Sequence, residues 1–194
     1  MKTLWKILIS AGMAMSLAAC AGSAAASASP SPSASSAPAM DENTALAAYK
    51  TASTELEKFY QMKYSIDGKD SVEPAGGGTF YRVKDYGTLS ELKDHLMQYV
   101  TADCADSILS QWASVYIEND GKLYMLGADT PVDETKGEES DAAAKVSDTE
   151  YKITATVQII NPDDNNKVTG SKDFEFPYVL QDGEWRFQEF PKIR

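Results

Sequence analysis

Histidine and cysteine are scarce in this chain: His95 is the only histidine, and Cys20 and Cys104 are the only cysteines. Zinc sites, redox dithiols and most nucleophile–base pairs need these residues in groups. None of the patterns HExxH, GxSxG or CxxC occurs. Cys104 with His95 is the one Cys–His pair on offer, and each has a simpler reading. Cys104 reads as a small buried hydrophobe, and His95 as a residue flanking an apolar helix stripe. Carboxylates are plentiful, yet no spacing singles out a glycosidase pair. Asn161 to Lys167 carries acids without the Asp-x-Asp-x-Asp-Gly order of an EF-hand loop. Gly76, Gly77 and Gly78 are not followed by Gly-Lys-Ser/Thr, so they read as a loop rather than a phosphate cradle. The expectation is a protein that is not an enzyme, with no metal and no cofactor. Basic residues are also few: 18 against 29 acids, net −11. Phosphate backbones require clustered cations, so no nucleic-acid partner is expected.

Long apolar runs are missing too, with one exception at the start. Ile7 to Ala19 is uncharged and apolar or small, and Lys2 and Lys6 precede it. That length suits the apolar region of a signal peptide and is too short for a free-standing membrane span. It closes on Leu17-Ala18-Ala19-Cys20, which looks like a bacterial lipobox. There the chain is cut before a cysteine that carries diacylglycerol. The simpler alternative is a cleaved signal peptide beside a chance cysteine. On the lipobox reading, residues 1–19 are the leader. Cys20 then anchors the protein to the outside of the bacterial membrane, since two acyl chains hold where one is marginal. Cys104 is left as a lone thiol, and no internal disulfide can form. Removing Lys2 and Lys6 from the 18 basic residues leaves 16 against 29 acids, net −13.

Residues 21–40 hold only Ala, Ser, Pro, Gly and one Met. Such a stretch cannot bury enough to offset its ordering entropy. It reads as a tether with an r.m.s. reach of roughly 25 Å for about 20 residues, or as a site of O-glycosylation. Residues 41–194 amount to a single domain.

That domain reads helices first and strands later. Asp41, Asn43 and Thr44 offer caps for a helix to about Lys63, with Leu46, Tyr49, Ala52 and Leu56 at helical spacing. Asp67-Gly68 marks a break. Phe80 lies in a short strand, Thr79 to Lys84. Thr88-Leu89-Ser90-Glu91 is a capping box, and Thr101 caps a further short helix. Ala113 to Ile117 and Lys122 to Leu126 flank Asp120-Gly121, the strongest short-range hairpin signal. Residues 131–150, with seven acids against two lysines, read as an exposed mobile connection. Tyr151 to Ile160 alternates as a half-buried strand. A final hairpin turns at Asp182-Gly183, and Pro177 belongs at an edge or a bulge. Trp112, Tyr116, Tyr124, Tyr178, Trp185 and Phe187 all fall on expected strands, as core or as the lining of a ligand pocket. The fold class is α+β, with N-terminal helices packed on a curved antiparallel sheet.

The ending Asp182-Gly183-Glu184-Trp185-Arg186-Phe187 resembles the last hairpin of cystatin-like and NTF2-like domains. The order Phe80-Tyr81-Arg82-Val83-Lys84, Thr88, Glu91-Leu92-Lys93, Leu96, Tyr99-Val100-Thr101, Ala105-Asp106 and Asp120-Gly121-Lys122-Leu123-Tyr124 resembles the D,L-endopeptidase inhibitor (IseA-like) family. The likeness covers roughly residues 44–194. It implies a secreted or lipid-anchored Gram-positive protein that blocks NlpC/P60-type cell-wall hydrolases, a basic one here given the acidic surface. Candidate blocking loops are Glu118-Asn119-Asp120-Gly121, which plain turn chemistry also explains, and the acidic connection containing Asp133 and Glu134. The alternatives are an envelope module that binds a small ligand, a peptide or a wall fragment, and an accessory domain without a ligand.

Overall fold

A computed structural model describes residues 40–128 and 133–194. The leader, Cys20 and nearly all of the tether lie outside the described residues. Met40 is the exception. Its carbonyl accepts from Tyr151 Oη at 2.8 Å, so the last residue of the expected tether is bonded to the domain. The described residues form one compact unit.

The first helix, α1, spans Glu42–Tyr60. Asp41 is its N-cap and accepts from Thr44 N at 2.7 Å. Its apolar stripe, Ala45, Tyr49, Ala52, Leu56, Phe59 and Tyr60, is buried. The helix stops short of Lys63 because Met62 turns left-handed, at φ 52°. Strands β1 (Ile66–Val72) and β2 (Phe80–Val83) follow, then helices α2 (Leu89–Leu96) and α3 (Ala102–Gln111), then strands β3 (Tyr116–Asn119) and β4 (Lys122–Leu126). Thr88 caps α2 and Thr101 caps α3, as their sequence signals require. Glu91 completes the first cap by reaching back to the amide of Gly87. Four long or closing strands end the chain: β5 (Lys136–Ser147), β6 (Glu150–Asn161), β7 (Lys167–Gln181) and β8 (Glu184–Phe187).

Among the described residues the architecture is α+β, with three helices and two antiparallel four-stranded sheets ordered β1-β2-β4-β3 and β5-β6-β7-β8. The single curved sheet expected from the sequence is thus two. Helix α1 joins them. Tyr49 packs on Phe176 of the second sheet at 4.8 Å between ring centres, and Phe59 stacks on Tyr116 of the first at 4.6 Å. Tyr99 to Thr101 runs beside β8, with Phe187 N donating to Tyr99 O and Thr101 N to Phe187 O, both at 2.9 Å.

Four local expectations change. Residues 136–147, read as a mobile connection, form the edge strand β5. Its inward positions are Glu139, Asp141 and Ala143, so no large apolar side chain announces it. Asp67-Gly68 lies inside β1, where a bulge between Asp67 and Ser71 absorbs the irregularity. Trp112 is not on a strand but closes α3 as its C-cap. Pro177 sits within β7, yet Gln188 N donates to its carbonyl past the end of β8. Its ring nitrogen faces that same side, beyond the end of β8, so the β6–β7 ladder loses no bond.

The strand aromatics are mainly core. Tyr116, Tyr124, Tyr178 and Phe187 are buried, and Phe187 stands 4.4 Å from Tyr178. Trp112 and Trp185 are partly buried against the same core. The space between α1 and the second sheet is therefore filled by the protein's own rings. Gly78 illustrates how tightly the outer loop packs: at φ +88° its Cβ would lie 2.9 Å from Leu126 Cδ1.

Candidate functional site

The β3–β4 hairpin presents a rigid, exposed tip. Asp120 at φ 48° and Gly121 at φ 69° form a type I′ turn, which requires positive φ at both centres. Three bonds hold it from behind. Glu118 Oε2 accepts from Leu89 N at 3.1 Å, at the start of α2. Leu123 N donates to Gly87 O at 2.9 Å. Tyr124 Oη donates to Asp70 Oδ1 at 3.0 Å, and Lys122 Nζ lies 3.7 Å from the same carboxylate. Glu118 therefore serves as a brace at a helix N-terminus, where a carboxylate is favoured. The part left to meet a partner is Asn119, Asp120 and Gly121. Asn119 Nδ2 donates to Asp120 Oδ2 at 3.3 Å across this tip.

Asp133 and Glu134 lie at the turn into β5, in the other sheet, and are exposed. Asp133 accepts from Thr135 N at 3.1 Å and from Thr135 Oγ1 at 2.6 Å. These bonds, with Lys136 nearby, hold its carboxyl below the usual range. It shapes its own turn, and no bond or ion pair among the described residues links it to the hairpin tip.

Cys104 and His95 have different neighbours. Cys104 is a buried free thiol, pushed up to about 11 by burial, with the Phe190 amide pulling the other way. So protonated a thiol is a poor nucleophile. His95 sits between Tyr86 and Tyr99, with Nε2 buried and without a hydrogen-bond partner, 3.6 Å from Glu55 Oε2. Burial pushes its pKa down, while Glu55 acts in the opposite sense.

Two features escape the linear reading. Tyr49 Oη donates to Glu139 Oε1 at 3.0 Å, and Arg194 Nη2 is 3.4 Å from Glu139 Oε2. Beside them burial, then the charge of Glu139, raise Asp141. The Glu139-x-Asp141 alternation was the only available signal. The second feature is a groove of about 860 Å³ between α3 and the segment after β8. Its floor includes Tyr60, Cys104, Ile108 and Phe190, and its rims carry Asp103, Glu189 and Lys192. On α3 the polar rim is visible as Asp103, Ser107 and Gln111 at a spacing of four. The opposing wall depends on where the last residues of the chain lie.

No protein-family model matches this chain, and no curated protein matches it.

Proposed function

We propose that the protein is a lipid-anchored envelope component whose domain acts by binding, as an inhibitor of peptidoglycan D,L-endopeptidases of the NlpC/P60 type. The observation that carries this reading is the Asn119–Gly121 tip: exposed, preformed by a type I′ turn and braced by Glu118 and Asp70. A preformed loop loses little entropy on entering an enzyme cleft. The acidic balance supports a basic target, through the association rate more than the affinity. The IseA-like order of residues supports it too, as does an α+β domain with α1 laid on a sheet. In this reading Cys20 carries the lipid and residues 21–40 the reach. Labelled palmitate should enter the full chain and be lost in Cys20→Ala, and labelling that survives the substitution would remove the anchor. The inhibitory activity is tested on zymograms of NlpC/P60 hydrolases with added domain from Ala37 onward. Fading of the lytic bands is expected; unchanged lysis by every such enzyme of the host would refute it.

The groove favours a second reading, an envelope binding module for a small ligand or a peptide. Its size lies within the range of small-molecule sites, and it shares no residue with the hairpin tip.

A further inference from the structure

We propose that the groove between α3 and the segment after β8 binds a short extended peptide of about four residues with both termini free. This deepens the binding-module reading and rests on it. The charges are arranged along the groove rather than scattered. Asp103 and Glu189 flank its end at the start of α3. Lys192 stands at the other end, its Nζ 5.4 Å from the ring centre of Trp112, the C-cap of α3. None of the three belongs to an ion pair among the described residues, although many other acids of the domain are paired. A peptide ammonium is therefore complementary to one end and a carboxylate to the other.

Length and wall chemistry agree. Asp103 to Trp112 is nine residues of helix, about 13–14 Å at 1.5 Å each. An extended chain covers about 3.3–3.6 Å per residue, so about four residues span the two ends. The walls also offer Gln181 and Gln188, both exposed. Ser107 and Gln111 face them from α3, bonded to each other at 3.1 Å. Primary amides carry both donors and acceptors, which is what a peptide backbone presents. The floor is apolar at Ile108 and Phe190, suited to small side chains. A neutral oligosaccharide would use the amides and leave all three charges unanswered.

The test is an NMR titration of the domain from Ala37 onward with tetra-alanine bearing free termini. The same peptide acetylated only, amidated only and blocked at both ends, and chitotetraose, are titrated in parallel. Tetra-alanine should shift amides of α3 and of residues 188–192. Blocking either terminus should weaken binding roughly two- to fivefold, the size of an exposed charge pair. Lys192→Gln should reproduce the loss for the carboxylate end, and Asp103→Asn with Glu189→Gln for the ammonium end. All three positions are exposed and the two acid-to-amide replacements are near-isosteric, so the spectrum itself reports a retained fold. If chitotetraose shifts the groove and tetra-alanine does not, the peptide assignment is overturned while the binding module stands. If neither shifts it, both fall. Equal binding of free and blocked peptides would also overturn the assignment.

Discussion

At the scale of single residues, burial decides more than residue type. Cys104 and His95 are the two side chains a chemist would circle first; burial keeps the Cys104 thiol protonated and so a poor nucleophile, and it lowers His95 toward its neutral form. His95 leaves a measurable trace instead. Its folded pKa lies below the ordinary 6.5, so the unfolded chain binds that proton more tightly. Stability from this group is complete above about 6.5 and is lost as pH falls through the folded value. In urea titrations at pH 7.5 and 5.5, His95→Gln should show a smaller acid loss than the parent; equal losses would contradict the burial argument. Tyr60 makes a second case. Its Oη donates to Phe190 O at 2.7 Å in a buried setting and ties α1 to the segment that walls the groove. Tyr60→Phe leaves that carbonyl unpaired and should cost about 1–2 kcal/mol in urea unfolding. No change would mean that water replaces the bond.

At the scale of elements, caps and turns set the hairpin's rigidity. Thr88→Ala removes the α2 N-cap, which accepts from Glu91 N at 3.1 Å, and should cost about 1 kcal/mol. Gly121→Ala places a Cβ at φ 69° and should cost about 1 kcal/mol by strain alone. Thermal melts of the two variants check both figures. These elements were legible in the sequence because their signals are local: Thr88 with Glu91, Thr101, Asp120-Gly121 and Asp182-Gly183 each act within four residues. β5 was not legible, since its inner face meets α1 through the Glu139 carboxylate and the Tyr49 hydroxyl rather than through an apolar stripe. The hairpin tip could be found from sequence for the same local reason. Its bracing by Asp70, some fifty residues upstream in the chain, could not. The groove was hidden because Glu189 and Lys192 gain meaning only when the final segment is laid against α3.

At the scale of the whole molecule, α1 holds two sheets in one body, with Tyr49 in one and Phe59 against the other. The domain should therefore unfold as a unit. Trp112 lies against Phe59 and Tyr60, and Trp185 against Tyr151 and Tyr178. In the domain from Ala37 onward, which lacks Trp5, single-tryptophan forms made by Trp112→Phe and Trp185→Phe report each region separately. Coincident urea midpoints for fluorescence and circular dichroism are expected within each form, and separated ones would show that α1 does not couple the sheets.

The same body carries net charge −13, 16 basic residues against 29 acids once Lys2 and Lys6 are set aside, and projects an acidic, preformed tip, and the proposed activity depends on that combination. It is tested most directly by the rate at which a purified NlpC/P60 D,L-endopeptidase releases peptides from wall polymer, with increasing domain from Ala37 onward and its Asp120→Asn form. Asparagine tolerates the left-handed turn, so only the tip charge is lost. The expected result is dose-dependent inhibition by the parent domain, weaker with Asp120→Asn, with the gap narrowing as salt rises. Undiminished hydrolysis at saturating domain across the host's NlpC/P60 enzymes would contradict the inhibitor reading. Equal inhibition by the two forms at every salt concentration would take the hairpin tip out of it.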